Sequence, residues 1–481
     1  MDRRGGLPTL ASLGRRARRF RLDTCLQTMP SAIWTELVSG RVAGKTAFSF
    51  PIRQVVTGEV EPRALRAEEC DPRAFWTAAD GAGLRVAALD MPTTPPPRER
   101  FDGVFLCSWS EHDRLFEPGS VPAGFLDEVL ERYGPYPIEQ MVDHNYPHTA
   151  EGKERMIDDL LAGGRLARRL FVDTLEREPW DLFACTLSEA HSGGHYFGGW
   201  VDRAPPPGSG WGPRATTAMR QLYDEADATL GALLAAAPDA TVVASLSHGM
   251  GEPVGGQQLL AEVVARLAGS GGGSAARARA ALPAPVRRLA RTLIRGRARE
   301  RLQEAAGSLP HPLASPATRA YAPETVSAVG MVRLNLRGRE PFGSVEPGPE
   351  AEALLEDLRQ AMLELTIPET GARAVAAART AVEIWGPDLH PDTPDLIVTF
   401  RRDVGRIDAV SSQRVGTVRL PYVVGSRTCD HTPDNALWVA GPGVEPGELA
   451  EGRAVDVAPT VLALLGVETP GWMDGRPLRL A

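Results

Sequence analysis

The stretch WDLFACTLSEAHSGGHYF, residues 180–197, joins an apolar run of strand length to two histidines four apart, with two glycines between them. WDLFACTL, Trp180 to Leu187, shows little polar alternation, as befits a strand covered on both faces. A spacing of four would also suit one face of a helix. Gly193 and Gly194, however, each cost roughly 1 kcal/mol relative to alanine in a helix interior. The local expectation is therefore a glycine-rich loop at a strand end, where two imidazoles approach a ligand.

Working outward, four more apolar runs read as buried strands: RVAALDM (Arg85 to Met91), ATVVASLS (Ala240 to Ser247), DLIVTF (Asp395 to Phe400) and ALWVAG (Ala436 to Gly441). Helical patterns alternate with them, including Ala215 to Ala237 and Glu350 to Leu365. Strand and helix in alternation predict an α/β fold with a mainly parallel central sheet and helices on both faces. Ligands in such folds sit beyond the carboxyl ends of strands, which is where SEAHSGGHYF and SHGMG fall. The chain divides on this reading into core over 1–100, a cap-like insertion over 101–169, and core with the metal loop over 170–268. A Gly/Ser-rich then Arg-rich helical insertion covers 269–316, and the rest of the core covers 317–481.

A chain of 481 residues with 43% hydrophobic content can bury a large core. Its net charge of -8 gives no reason to expect a nucleic-acid polymer as partner. Lysine occurs only at Lys45 and Lys153, so the arginine clusters reflect a general compositional bias. The five cysteines show no CxxC spacing, which points away from a disulfide framework or a cysteine zinc site. No run approaches the roughly 18 apolar residues of a membrane span, and the basic start lacks the apolar middle of a secretory signal. A cytoplasmic location is the simplest expectation.

Among nine histidines, His191, His195, His248 and His431 occupy glycine-punctuated segments beside predicted strands. Each alone reads as an ordinary hydrogen-bonded side chain. Four at one sheet edge read as metal ligands, because a site needs three or four donors converging from different segments and neutral imidazole is a common one. Glu189, two before His191, is an extra ligand, an orienting group, a proton-transfer group or a plain surface carboxylate, and Asp430 has the same ambiguity. Asn335, Arg337 and Arg339 read as oxyanion contacts or, more ordinarily, as members of an ion-pair network. His112, His144 and His148 fall in the cap-like segment.

Taken in order, PSAIWTELVSG (Pro30 to Gly40), SEAHSGGHYF, VVASLSHGMG (Val242 to Gly251), VRLNLRGREPFGSV (Val332 to Val345), PDLIVTF (Pro394 to Phe400), CDHTPDNALWVAGPGV (Cys429 to Val444) and VDVAPTVLALLGVETPGWMDGRPL (Val455 to Leu478) resemble the alkaline phosphatase superfamily. The branch is that of type I phosphodiesterase/nucleotide pyrophosphatase-like phosphohydrolases, and the resemblance runs over nearly the whole chain. It implies a two-metal hydrolase of phosphate mono- or diesters acting on a small phosphorylated substrate through a hydroxyl nucleophile. His191, in a position the family gives to an acidic residue, His195 and His431 would hold the first metal. Ser247 and His248 stand where the family has an Asp-His pair for the second. The nucleophile position falls near Pro30, making Ser31 the first candidate and Thr28 the second; Ser31 opens a predicted helix, whose amino end favours a phosphoryl group, while helix capping is the plainer role.

The resemblance also sets expectations of loss. The family's first strand, with its aspartate ligand, would precede LPTLASL (Leu7 to Leu13), and it is expected to be missing. With Ser247 in place of a carboxylate, the expectation is one tightly held zinc, manganese being the alternative metal, and a second site that is weak or absent. The rival reading is a catalytically degraded relative that binds metal or a phosphorylated ligand without turnover.

Overall fold

The computed structural model describes residues 6–24, 30–46, 52–57, 59–64, 70–71, 73–110, 114, 116–138, 146, 149–206, 209–268, 317–323, 329–340, 342–420 and 427–480. Thr28, His112, His144, His148 and the 269–316 insertion lie outside them. In chain order the elements are α1 (Pro8–Arg16), β1 (Arg18–Asp23), α2 (Pro30–Ser39), β2 (Ile52–Thr57), β3 (Glu59–Ala64), α3 (Phe75–Gly81), β4 (Val86–Leu89), β5 (Val104–Cys107), β6 (Gly119–Val121), α4 (Gly124–Tyr133), α5 (Ala150–Arg177), β7 (Leu182–Cys185), α6 (Glu189–Phe197) and α7 (Ala215–Ala236). There follow β8 (Val242–Leu246), β9 (Gly249–Gly251), α8 (Leu260–Leu267), β10 (Ala320–Tyr321), β11 (Val329–Leu334), α9 (Pro349–Leu363), β12 (Val375–Thr380), α10 (Ala381–Trp385), β13 (Leu396–Phe400), β14 (Ala409–Ser412), β15 (Gly416–Arg419), β16 (Asp430–Thr432), β17 (Ala436–Ala440), β18 (Leu449–Arg453) and α11 (Val457–Leu464). All five strands expected from apolar runs are present.

The chain forms two compact units, the first made of Met1–Pro51, Leu65–Pro253 and Gly425–Ala481 and the second of Ile52–Ala64 and Val254–Val424. The first unit is α/β, as expected, and its strands lie in two four-stranded sheets ordered β18-β1-β17-β8 and β6-β5-β4-β7. Parallel pairing holds for β4 with β5, β4 with β7 and β1 with β18, while β17 runs antiparallel to both β1 and β8. Strand β1, RRFRLD, lies in a stretch whose arginines obscure an alternation in which Phe20 and Leu22 point inward.

Alternation explains how the sheets are covered. Val86 and Ala88 face a core built with Ile33 and Leu37 of α2, Trp76 of α3 and Leu462 of α11. Ala87 and Leu89, one residue out of phase, face Leu160 and Phe171 of α5 and Met219 and Leu222 of α7. Helices thus cover both faces. Each fully buried side chain of this size contributes about 1.5–3 kcal/mol. The stretch 101–169, expected as a cap, supplies β5, whose Phe105 and Leu106 are fully buried, and α5, which packs on the sheet.

The second unit holds an antiparallel sheet ordered β10-β11-β13-β12, with α8 and α9 burying Val263, Leu354 and Leu358 against Val332, Leu396 and Val398. Among the described residues no helix is long and apolar enough to cross a membrane. Among the described residues, Cys70, Cys107, Cys185 and Cys429 are in no disulfide.

Candidate metal centre

Four imidazoles converge in the first unit where β7 and β8 end. The expected loop over SEAHSGGHYF is instead the helix α6, Glu189–Phe197, with Ser192 N–H donating to the Ser188 carbonyl at 3.0 Å. Close packing is the reason that two glycines sit inside it. A Cβ on Gly193 would stand 2.2 Å from Leu222 Cδ1 of α7, and one on Gly194 would stand 2.9 Å from Met250 Cγ of β9. Only a helix bare on that side fits between α7 and β9, so the intrinsic penalty is offset by tertiary contact. The helical spacing then puts His191 and His195 on one face, their ring centroids 5.0 Å apart.

His431 arrives from the far end of the sequence. It sits in the short ladder of β16 with β9, paired with Met250. The preceding residues are clamped to α6: Thr428 N–H and Cys429 N–H donate to the His195 carbonyl at 2.7 and 3.1 Å, and Thr428 Oγ1 donates to the Tyr196 carbonyl at 2.8 Å. His248 precedes β9 directly, and its ring lies 5.0 Å from His191 and 4.5 Å from His431. The His191 to His431 separation is 5.2 Å and that of His195 to His431 is 4.7 Å.

The contacts define which nitrogens face inward. His195 Nδ1 is 3.1 Å from the Cys429 carbonyl oxygen, which can only accept, so Nδ1 carries the proton and Nε2 presents its lone pair. That Nε2 is 3.1 Å from His431 Nε2. Two nitrogens bound tetrahedrally to one zinc at 2.0–2.1 Å would be about 3.3 Å apart, so this pair already has ligand spacing. A histidine that anchors its other nitrogen on a backbone carbonyl is also the usual posture of a metal ligand. Two candidate ligand groups result, His191 with His248 and His431, and His195 with Asp430 and His431; within each, the donor atoms lie within 4.8 Å of one another. His431 belongs to both. This grouping differs from the one implied by the resemblance, which joined His195 to His191, and it brings in Asp430. The donor set is nitrogen-rich, with one carboxylate, and fits a zinc-like divalent ion.

Glu189 is buried but belongs to neither group. Its Oε1 accepts from Tyr136 Oη at 2.7 Å. Burial pushes its carboxyl up to about 7, the Tyr136 hydrogen bond opposes the rise, and the carboxylates of Asp90 and Glu225 add to it. Burial likewise holds the Tyr136 phenol well above its ordinary value. Asp90, at the end of β4, is fully buried and accepts from Trp109 N–H, Ser110 N–H and Ser110 Oγ at 2.9, 3.0 and 2.7 Å. No sequence signal marks Tyr136 as a partner of Glu189, since they meet across 53 residues, with Tyr136 packed against Gly163 of α5.

The remaining candidates are placed as follows. Ser247 joins β8 to His248. Ser31 is buried in the first turn of α2, where its carbonyl accepts from Thr35 Oγ1 at 2.8 Å. In the second unit, Arg339 and Asn335 are engaged internally, Arg339 with Asp395 and Glu340 and Asn335 with the Thr318 and Phe342 carbonyls. Arg337 pairs with Glu346. The ion-pair reading of this segment is the one observed.

No family model matches this chain, and no curated protein matches it. Solved structures of low sequence identity match it over most of their length. Murine ectonucleotide pyrophosphatase/phosphodiesterase 5 is 10% identical, with 96% of this chain and 91% of that one covered and a TM-score of 0.47. Phosphonoacetate hydrolase from Sinorhizobium meliloti 1021, in complex with phosphonoacetate, is 12% identical over 97% and 91% of the chains, with a TM-score of 0.46. The alkaline phosphatase PafA is 11% identical over 97% and 92%, with a TM-score of 0.48.

Proposed function

We propose that this chain is a divalent-metal-dependent hydrolase of phosphate mono- or diesters. The observation that carries the reading is the convergence of His191, His195, His248 and His431 from three distant segments, with His195 Nε2 and His431 Nε2 only 3.1 Å apart. The sequence motifs quoted above support the phosphoester part of it. A bound zinc or manganese would supply a Lewis acid that polarises the phosphoryl oxygens and steadies the attacking and leaving oxygens.

The chain's own residues have separate tasks. His431 bridges the two ligand groups, Cys429 fixes the tautomer of His195 through its carbonyl, and α6 presents His191 and His195 from one rigid face. Asp430 adds the only carboxylate in either group, which offsets the hydroxyl at Ser247. Ser31 is the proposed nucleophile and Thr28 the alternative. The substrate is a small phosphorylated molecule and the setting cytoplasmic, which the described cysteines, in no disulfide, suit.

The test is release of p-nitrophenol from p-nitrophenyl phosphate and from bis(p-nitrophenyl) phosphate by the full chain loaded with zinc or manganese. Activity that disappears in His431→Ala and in Ser31→Ala, with Ser31→Ala still binding metal, supports the reading. A second reading, metal binding without turnover, is favoured by Ser247 and by Glu189 being held away from both ligand groups by Tyr136. One metal bound per chain with no release across a broad ester panel would establish it.

A further inference from the structure

Strand β1 divides its side chains by charge. Phe20 and Leu22 point into the core shared with α2 and α11, while Arg19 and Arg21 stand exposed on the opposite face of the sheet. Register fixes their neighbours: Arg19 lies between Trp438 of β17 and Leu449 of β18, and Arg21 lies beside Glu451 of β18. Residues level across paired strands share a face, so Trp438, Arg19 and Leu449 form one row. Leu449 is 60% exposed, and half-buried Trp438 rests against Gly14 of α1. Arg15 and Arg16, both exposed, close α1 beside the amino end of β1, with only Ala17 between.

What sets these arginines apart is that no acid neutralises them. The compositional bias accounts for their number, yet other exposed arginines are matched to acids: Arg220 to Asp224 at 2.8 Å, and Arg319 to Glu350, Arg414 to Asp357 and Arg419 to Glu369 at 2.7 Å. Among the described residues Arg15, Arg16 and Arg21 have no such partner, and Arg19 donates only to the Gly447 carbonyl. Glu451 is level with Arg21 but forms no ion pair with it. In a chain of net charge -8, this face carries a local field of the opposite sign.

A nucleic-acid polymer and a phospholipid surface would each meet guanidinium groups with phosphate. The row favours the lipid. An indole and an exposed leucine flank Arg19, and that combination matches the boundary between headgroups and acyl chains, where apolar side chains leave water while arginine stays with phosphate. Orientation agrees. Strands β1 and β8 run the same way, each being antiparallel to β17, and His248 follows the carboxyl end of β8. The amino end of β1, with Arg15, Arg16 and Arg19, is therefore at the sheet edge remote from the histidines, and docking there leaves the candidate metal centre uncovered.

We propose that the face formed by the end of α1 with β1, β17 and β18 docks on an anionic phospholipid surface, with Arg15, Arg16, Arg19 and Arg21 on headgroup phosphates and Leu449 at the acyl boundary. The proposal concerns this surface alone and does not depend on the hydrolase reading.

The test is sedimentation of the full chain with vesicles of phosphatidylcholine and of phosphatidylcholine mixed with phosphatidylserine, circular dichroism checking that each variant is folded. Binding is expected to the mixed vesicles only, and to fall with added salt. Each arginine near such a surface contributes about fivefold, so changing all four to glutamine should weaken binding about a hundredfold or more. Changing them to lysine should keep most of it, Leu449→Ser should weaken it a few-fold, and Arg414→Gln with Arg419→Gln should leave it unchanged. Should the fourfold glutamine variant not fold, Arg19→Gln and Arg21→Gln taken singly should each cost about fivefold. No binding to the mixed vesicles, equal binding to both kinds, retained binding by the glutamine variants, or tighter binding of heparin or duplex DNA than of the vesicles overturns the proposal.

Discussion

The four histidines of the first unit and the arginine-acid network of the second are both buried or half-buried, yet their internal chemistry is opposite. Arg333 pairs with Glu340 at 2.7 Å, and Arg339 bridges Glu340 at 3.0 Å and Asp395 through two bonds of 2.8 and 2.7 Å. Arg339 also donates to the Leu334 carbonyl and Asp395 accepts from the Leu334 N–H, so the network ties β11 to its neighbours. Two positive and two negative groups cancel, leaving nothing for a ligand to supply. At the candidate metal centre the converging groups are alike, donors of the kind that a divalent cation takes. A buried cluster that neutralises itself is read as scaffold, and one of like donors as a site.

Five changes would break or sharpen that contrast, the largest first. His431→Ala removes the residue common to both ligand groups and should lower metal affinity by more than the about 10–100-fold that losing an outer partner of a ligand costs. Metal content after dialysis measures it, and Arg339→Met should leave it unchanged. Arg339→Met should instead strand Asp395 and Glu340 and cost about 3 kcal/mol in urea unfolding, at the low end for a broken buried pair because its side chain is still 21% exposed. If it also lost the metal, the two clusters would not be separable.

Gly193→Ala should cost about 1–3 kcal/mol through overpacking against Leu222. Gly81→Ala, with nothing within 4 Å of its added Cβ, serves as the control and should be neutral or slightly stabilising. Tyr136→Phe removes the donor to buried Glu189 and should cost about 1 kcal/mol.

The smallest effect is a slope with pH. Burial raises the Asp90 carboxyl above its usual 3.8, so between that value and its folded value the folded protein keeps a proton that the unfolded chain has released. The associated stability is fully present below 3.8 and lost as pH rises through the folded value. Asp90→Asn should flatten that decline in a series of denaturation curves, and an unchanged slope would assign it to another group.

Legibility in the sequence followed the range of the forces involved. Strands such as Leu396–Phe400 were visible because continuous apolar runs reflect burial on both faces. The four histidines that converge in the fold were visible as candidates because they flank such runs. The helix over Glu189–Phe197 was not, since its glycines answer to Leu222 and Met250, which are distant in sequence. Nor was β1, whose outward arginines hide its inward Phe20 and Leu22.

By itself, then, the sequence determined the α/β class and the residue types of the candidate metal centre, because apolar periodicity and donor chemistry are local properties of the chain. Tertiary structure alone decided the partners. It brought Asp430 and His431 to His195 and turned Glu189 to Tyr136. Those outcomes depend on the close approach of segments tens to hundreds of residues apart, which only packing specifies.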